Sequence, residues 1–211
     1  MKKVINCFKE HNPVINKKLR EVSIEEGEQI ASELFTILNK RKDGIGLAAN
    51  QVGIDAAVAV VNVREPIVLI NPKVISTDNE IDYYEGCLSY PDKGVHTKRY
   101  ETVHIQSAQS ESGWIFSGCD TGPSAKGTWE AEQAREYDRE QRLLEAVCVQ
   151  HEIDHLNGIV CMDRKIDTTI RVEKKIGRNQ KVLIACGPDS KVVKYKKAIP
   201  LLEKGWVLVE S

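Results

Sequence analysis

Hydrophobic residues recur at a spacing of three to four residues in two stretches of the chain, and each stretch predicts a helix. The first covers residues 23–41, where Ser23 is the expected capping residue and Glu26 completes a capping-box pattern. The second covers residues 139–156, with Trp129 as an alternative start, and an Asn-Gly pair follows it as a stop. Its residues at steps of three, four or seven are expected on one side: Tyr137, Leu144, Val147, Cys148, His151 and His155.

Shorter apolar runs and the segments between them predict strands and loops. Runs rich in β-branched and small apolar residues predict strands at 56–63, 66–70 and 102–105. Residues 82–105 alternate more loosely, and Pro91 and Gly94 punctuate them. Residues 106–128 are rich in Ser, Gly, Thr and Pro, which predicts a long loop of the kind that is often functional or mobile.

Composition limits the classes of function. The chain has 211 residues, of which 41% are hydrophobic, and a chain of this length buries a core without staples. Lys and Arg number 30 against 31 Asp and Glu, and this balance argues against DNA or another polyanion as the main partner. No apolar run approaches the roughly 20 residues that cross a membrane, so we expect a cytoplasmic protein without a membrane partner. The six cysteines include no CxxC pair, so we expect mostly reduced thiols.

The segment from His151 to His155, HEIDH, carries the clearest chemical signal. Histidines four residues apart stack on one face of a helix, where both imidazoles can bind one metal ion. Glu152 then lies beside a water molecule on that ion, as in a hydrolytic zinc site. An ordinary polar helix face, or a single buried histidine, is the alternative interpretation.

A catalytic metal commonly has three protein ligands and an open fourth position. In zinc endopeptidases the third ligand lies downstream, but no histidine follows Leu156 and the first downstream glutamate is Glu173. Upstream, Cys87 lies in the segment EGCLS, on a glycine-bearing turn or strand. An endopeptidase is therefore the weaker alternative.

Three segments resemble the three signature motifs of peptide deformylases, in the order of that family. They are residues 44–51 (GIGLAANQ), 85–89 (EGCLS) and 150–155 (QHEIDH), and the resemblance covers roughly residues 10–165. It implies an α+β fold with small antiparallel or mixed sheets around a central metal-binding helix. It also implies hydrolysis of the N-formyl group of formyl-methionine on newly synthesised polypeptides, with release of formate.

The resemblance also implies a role for each site residue. It implies three ligands of one divalent metal ion, with Fe(II) as the native metal and zinc or nickel as alternatives: Cys87, His151 and His155. Metal-bound water would be the nucleophile, and Glu152 would carry its proton to the leaving amine. The Gln51 side-chain amide and the Leu88 backbone N–H would stabilise the oxyanion.

Substrate contacts follow from the same resemblance. Backbone contacts to the peptide are predicted at three positions: Ile45, Gly46 and Gly86. Four side chains are predicted to line the methionine pocket, with plain core packing as the alternative: Tyr90, Leu144, Val147 and Cys148. Gln150 and Asp154 are expected to orient the metal ligands.

The chain departs from the family pattern in three places. Asn50 lies where many members have proline, which predicts a more flexible loop, and Gly94 lies where many bacterial members have arginine. The gap of 64 residues from Cys87 to His151 (151 − 87) is longer than usual, so we predict an insertion at about residues 106–140.

We expect residues 1–168 to form the catalytic domain and residues 169–211 to form a small ordered appendage. The appendage is predicted to contain a hairpin, a short helix and a last strand: 182–186 with 192–195, 196–202 and 206–209. Its lysines are either a solvated face or a contact to ribosomal RNA: Lys194, Lys196, Lys197 and Lys204. A non-catalytic, ribosome-associated metal-binding homologue is the remaining alternative function.

Overall fold

The structure is a computed structural model that describes residues 2–41, 43–119, 129–166, 181–186, 189–202 and 207–208. The chain forms two compact units, Met1–Ile166 and Asp167–Ser211. Every helix within the described ranges is too short or too polar to cross a lipid bilayer.

The predicted first helix is confirmed as α1 (Ile24–Leu38), which ends before the predicted limit. The Ser23 hydroxyl caps it by accepting a hydrogen bond from the backbone N–H of Glu26 at 3.2 Å. The other half of the predicted capping box is wrong, because the Glu26 carboxylate pairs with Arg20 ahead of the helix. The buried face of α1 holds residues at helical spacing: Gly27, Ala31, Leu34, Ile37 and Leu38.

A first sheet packs against α1 and is antiparallel throughout. It contains β1 (Gly46–Ala48), β2 (Val58–Asn62) and β3 (Pro66–Ile70) in that order, and both strands predicted here are confirmed. The first four residues of β2 are all buried, which explains the unbroken apolar run in its sequence. A short 3-10 helix (Ala49–Val52) follows β1.

A second antiparallel sheet contains β4 (Lys73–Cys87), β5 (Tyr90–Ser107) and β6 (Ser110–Ser117) in that order. β4 and β5 form a long hairpin whose turn is the dipeptide Leu88-Ser89. The strand predicted at residues 102–105 is confirmed as one part of β5.

Two expectations for this region are wrong. Pro91 and Gly94 lie within β5 and do not interrupt it; proline is tolerated near the start of a strand. The loop predicted at residues 106–128 contains β6, because a Ser- and Gly-rich sequence here forms an outer strand. Phe116 supplies its packing and is buried opposite Val103 of β5. The last nine residues of the predicted loop lie outside the described part of the chain.

The predicted second helix is confirmed as α2 (Trp129–Leu156), with the earlier of its two starts. It contacts both sheets, and all its residues from 145 to 156 are buried. Among the residues expected on one side, Tyr137 is 65% exposed, whereas the later ones lie on turns that are buried all round. This part of the helix therefore has no separate apolar stripe. A second 3-10 helix (Cys161–Arg164) follows α2.

The second unit contains β7 (Lys181–Cys186), β8 (Asp189–Lys194), α3 (Tyr195–Leu202) and β9 (Val207–Leu208). β7 is the central strand, and β8 and β9 pair with it antiparallel on either side. The hairpin, the helix and the last strand lie where the sequence predicts them. The Gly-Pro pair of the predicted turn and Lys204 lie outside the described residues. The domain boundary after residue 168 and the insertion stay predictions.

Candidate metal centre and active site

Two elements bring three metal-binding side chains together. Cys87 is the last residue of β4 before the hairpin turn, and His151 and His155 lie one turn apart on α2. Their ligand atoms all lie within 4.8 Å of one another, and all three residues are buried. Cys87 Sγ is 3.2 Å from His155 Nε2, and the two imidazole centroids are 4.9 Å apart. One thiolate and two imidazoles with this spacing fit a cation such as Fe(II) or Zn(II).

A carboxylate on β4 orients the first imidazole. Glu85 Oε2 lies 3.4 Å from His151 Nδ1, so the Nδ1–H group donates to Glu85 and Nε2 is left for a cation. Arg99 Nη2 is 2.5 Å from the other oxygen of Glu85, and Arg99 is 2% exposed. Burial raises the pKa of Glu85, but the hydrogen bonds from His151 and Arg99 outweigh it and lower the pKa to about 2.

The predicted orienting residues have other roles. Gln150 docks α2 on β5: its amide accepts from the backbone N–H of Tyr100 at 3.0 Å and donates to the Tyr100 carbonyl at 2.8 Å. Asp154 pairs with Arg99 at 2.6 Å and with Arg164. These pairs do not include an imidazole, whereas Glu85 contacts His151 directly. Sequence reasoning missed Glu85 in this role, although it lies in the second motif.

Glu152 is 3% exposed and lies against β1. Burial raises its pKa to about 7, although His151 acts in the opposite direction. Glycine at position 46 makes this placement possible, because a Cβ there would overlap Glu152 and would lie 2.7 Å from Cys148 Sγ. The Oε2 atom of Glu152 is buried and has no hydrogen-bond partner among the described residues.

Gln51 lies in the 3-10 helix after β1 and is 1% exposed. Its Oε1 accepts from the backbone N–H of Ala48 at 2.8 Å, which fixes the orientation of the amide. Its Nε2 therefore faces the other way, 3.5 Å from Cys87 Sγ and 3.3 Å from Ser89 Oγ. The structure thus places a fixed N–H donor beside the three metal-binding side chains.

The expectation of a looser loop at Asn50 is wrong. Asn50 is fully buried, and its amide donates to the carbonyls of Ile15 at 3.0 Å and His155 at 2.7 Å. These bonds tie the loop to the end of the histidine-bearing helix. A polar side chain with two carbonyl partners constrains a loop as proline does, by another means.

A cavity of about 520 Å³ opens onto two of the three side chains, Cys87 and His151. Of the site residues predicted from the sequence, only His155 does not line this cavity, because it is fully buried. The predicted residues that line the cavity are Ile45, Gly46, Gln51, Gly86, Cys87, Leu88, Tyr90, Leu144, Val147, Cys148, His151 and Glu152. Tyr84 also lines it and was missed by the sequence reasoning. A Cβ at Gly94 would overlap the Tyr84 ring, so any larger residue there requires this exposed ring to move.

A second thiol adjoins the metal-binding trio from outside the cavity. Cys161, at the start of the second 3-10 helix, is 1% exposed and packs in one cluster with Cys87 and Val95. The same cluster therefore contains a metal-binding thiol and a second thiol that does not line the cavity.

The fold is α+β, and its central helix carries two of the three metal-binding side chains. This arrangement defines the protein as a metal-dependent hydrolase. The sequence model of the family described as polypeptide deformylase matches residues 4–117 and 124–171, so the chain belongs to that family. The resemblance and the fold class predicted from the sequence are confirmed, and membership supports removal of N-terminal formyl groups from new peptides.

Individual relatives agree with this assignment. A peptide deformylase of Dictyoglomus thermophilum is 34% identical over 167 residues, which are 78% of this chain and 94% of the relative. One of Heliobacterium modesticaldum is 34% identical over 164 residues, 76% and 93% of the two chains. The crystal structure of peptide deformylase from Thermotoga maritima superposes with a TM-score of 0.59 at 26% identity, over 79% of this chain and 99% of that one.

Proposed function

We propose that this protein hydrolyses the formamide bond of formyl-methionyl peptides with a divalent cation held by Cys87, His151 and His155. The observation that carries the proposal is the spacing of these ligand atoms, within 4.8 Å of one another, with Cys87 and His151 lining a cavity. A bound cation of this kind polarises a carbonyl and acidifies water. Family membership supports the reaction class.

Glu152 is proposed as the group that moves the proton. Its Oε2 atom is buried without a partner among the described side chains, so it is available to accept a proton from water in the cavity. Its neighbour Gly46 keeps strand β1 close enough to pack against the carboxylate. After the formamide carbon is attacked, the same carboxyl group donates that proton to the leaving amine.

Two N–H donors are proposed for the oxyanion. The Gln51 amide is held by Ala48, so its Nε2–H group requires no reorientation when negative charge develops. The Leu88 backbone N–H lies in the hairpin turn next to Cys87. Donors that are preorganised in a buried site stabilise the transition state more than the neutral substrate.

The cavity walls are proposed to hold the substrate. Val147 and Cys148 are buried, and Leu144 is half-buried, on the helix turns before His151, where an unbranched thioether chain can pack. Tyr90 forms another part of the wall. Ile45 directly precedes β1, Gly46 is the first residue of β1, and Gly86 lies near the end of β4. All three line the cavity, and backbone contacts from them to the peptide are part of the proposal.

The test measures formate release from formyl-Met-Ala-Ser together with bound metal. Glu152→Ala is expected to retain metal and lose at least about 100-fold in turnover, the lower range for a general acid–base group. Cys87→Ser is expected to lose metal. Glu140→Gln, an exposed carboxylate on the same helix, is the matched control and should behave as the wild type. Normal turnover by Glu152→Ala would exclude Glu152 as the proton carrier.

The finer predictions about metal, place and partner are tested separately. Metal analysis after anaerobic purification tests Fe(II) against zinc and nickel. Fractionation of cells tests the cytoplasmic location. Contact of the appendage with ribosomal RNA would involve exposed lysines of β8 and α3, Lys194, Lys196 and Lys197. Unchanged ribosome co-sedimentation after deletion of residues 169–211 would remove that hypothesis.

A further inference from the structure

We propose that Cys161 is a resolving thiol for the metal ligand Cys87, so that a hydroperoxide converts the pair into a reversible disulfide and releases the metal. The inference rests on the proposed function only in taking Cys87 as a ligand. It assigns a modification site to a cysteine that has no part in the hydrolytic reaction.

The fold holds the two sulfurs against each other. Cys161 and Cys87 belong to one buried cluster, and the 3-10 helix that begins at Cys161 contacts β4, the strand that ends at Cys87. The segment around Cys161 is fixed on both sides: Asp163 accepts from the backbone N–H of Val160 at 3.0 Å, and the N–H of Ile166 donates to the His96 carbonyl at 2.8 Å. Because His96 lies on β5, the strand paired with β4, this anchoring holds Cys161 beside the end of β4.

The two thiols differ in their access to the cavity. Cys87 lines it, whereas Cys161 does not and is 1% exposed. A small hydroperoxide that enters the cavity therefore meets the Cys87 sulfur first. Cys161 is protected from direct attack but packs in the same cluster as the cysteine that has reacted, which is the arrangement of a peroxidatic and a resolving cysteine.

The chemistry balances with hydrogen peroxide as the oxidant. The Cys87 thiolate attacks one peroxide oxygen; the O–O bond breaks, hydroxide leaves, and Cys87 becomes a sulfenic acid. The Cys161 sulfur then attacks the Cys87 sulfur, an S–S bond forms and the S–O bond breaks. The proton of the Cys161 thiol leaves with that oxygen as water, so two sulfur electrons have reduced the peroxide.

A resolving thiol determines what happens to the oxidised ligand. A sulfenic acid without a neighbouring thiol proceeds to sulfinic and sulfonic acids, which are irreversible. A disulfide removes the thiolate donor, so the cation leaves, but thiol reductants restore both cysteines. We therefore expect oxidation to inactivate this protein reversibly.

The test uses full-length protein loaded with zinc, because zinc itself is not oxidised. Protein is treated with hydrogen peroxide, its remaining thiols are alkylated, and its tryptic peptides are mapped by tandem mass spectrometry. Fragmentation is needed because one tryptic peptide, residues 143–164, contains both Cys148 and Cys161. A chromogenic chelator measures released zinc. For the wild type we expect a linked Cys87–Cys161 peptide with loss of two hydrogens, release of zinc in step with the link, and zinc binding regained after dithiothreitol.

Variants separate the resolving role from general thiol oxidation. Cys161→Ala and Cys161→Ser should instead gain two oxygens on Cys87 and fail to regain zinc. Cys7 is the matched control: it is half-buried and packs against a different cluster from Cys87, so Cys7→Ser should behave as the wild type.

Three results would overturn the inference. They are a link from Cys87 to Cys7 or Cys148, oxygen addition to Cys87 of the wild type without a link, and failure of the wild type to bind zinc. The wild-type map decides the first two even if the Cys161 variants misfold. None of these readouts needs turnover, so failure of formate release and failure of the disulfide are distinguished.

Discussion

Replacing Arg99 with methionine is expected to lower the free energy of unfolding by about 3 kcal/mol, the lower end of the range for breaking a buried ion pair. Arg99 is 2% exposed and contacts two buried carboxylates, with Nη2 2.5 Å from Glu85 Oε1 and Nη1 2.6 Å from Asp154 Oδ2. Methionine fills a similar volume but neutralises neither carboxylate. The cost is therefore that of buried negative charge left behind, not of a cavity.

The remaining partners explain why the lower end applies. Asp154 keeps Arg164, whose Nε lies 2.5 Å from Oδ2, and Glu85 keeps the contact with His151. Burial alone raises the pKa of Glu85, and the interactions with His151 and Arg99 lower it. Loss of Arg99 removes one of these two opposing interactions. A loss of about 3 kcal/mol corresponds to a decrease of about 6–12 °C in Tm for a chain of this size. Metal affinity should fall as well, by about 10–100-fold, because Glu85 orients a ligand.

Urea denaturation of the wild type and variants measures this loss. Lys98→Met is the matched control on the same strand: Lys98 pairs with Glu80 and Asp82, is 44% exposed, and should cost at most about 1 kcal/mol. Adding Glu85→Gln to Arg99→Met should recover part of the loss, because it removes one unpaired charge. A loss below about 1 kcal/mol for Arg99→Met, or an equal loss for Lys98→Met, would refute the reasoning.

Three further predictions concern the same region. The pKa of Glu85 is lowered to about 2 from an unfolded value of about 4.3, so its stabilising contribution is present above the unfolded value and is lost as the pH falls toward 2. The stability difference between the wild type and Glu85→Gln, measured by urea denaturation across this range, should narrow accordingly; a constant difference would contradict it. Gly46→Ala should cost about 1–3 kcal/mol through overlap with Glu152, whereas Gly86→Ala, whose Cβ would lie 3.7 Å from the Lys93 carbonyl, should change thermal stability little. Asn50→Ala should cost about 1–3 kcal/mol in thermal denaturation, because two buried carbonyls lose their donor; an unchanged Tm would show that the loop does not depend on them.

The sequence predicted those parts of the fold that local rules determine. The cap at Ser23 and the spacing of apolar residues were enough to locate α1, whereas for α2 they left two possible starts, of which the earlier is correct. The strand β6 was missed because its sequence is rich in Ser and Gly and, among its described side chains, only Phe116 is buried. Pairing with β5, and not apolar alternation, defines this strand. The last turns of α2 are buried on all sides, which no one-sided pattern can represent.

The site residues divide in the same way. The motifs contain Cys87, His151 and His155, and the structure brings the three together. Glu85 and Arg99 meet only through the register of the β4–β5 hairpin. Glu85 pairs with Val95, and Arg99 pairs with Ile81, which lies four residues before Glu85 on the same face of β4. That register depends on a two-residue turn that composition did not locate, so the ion pair could not be predicted. Cys161 was likewise assigned only as a small buried residue.

The buried end of α2 shows where folding and function conflict. Its charged side chains have partners, including Asp154 with two arginines, but Glu152 Oε2 and His155 Nδ1 have none among the described atoms. A buried polar group without a partner costs about 1–3 kcal/mol. Glu152→Met should therefore stabilise the metal-free protein by an amount in that range and abolish formate release, which urea denaturation and the formate assay measure together. A destabilised Glu152→Met protein would show that this carboxylate stabilises the fold. Its burial would then not be a loss of stability that catalysis requires.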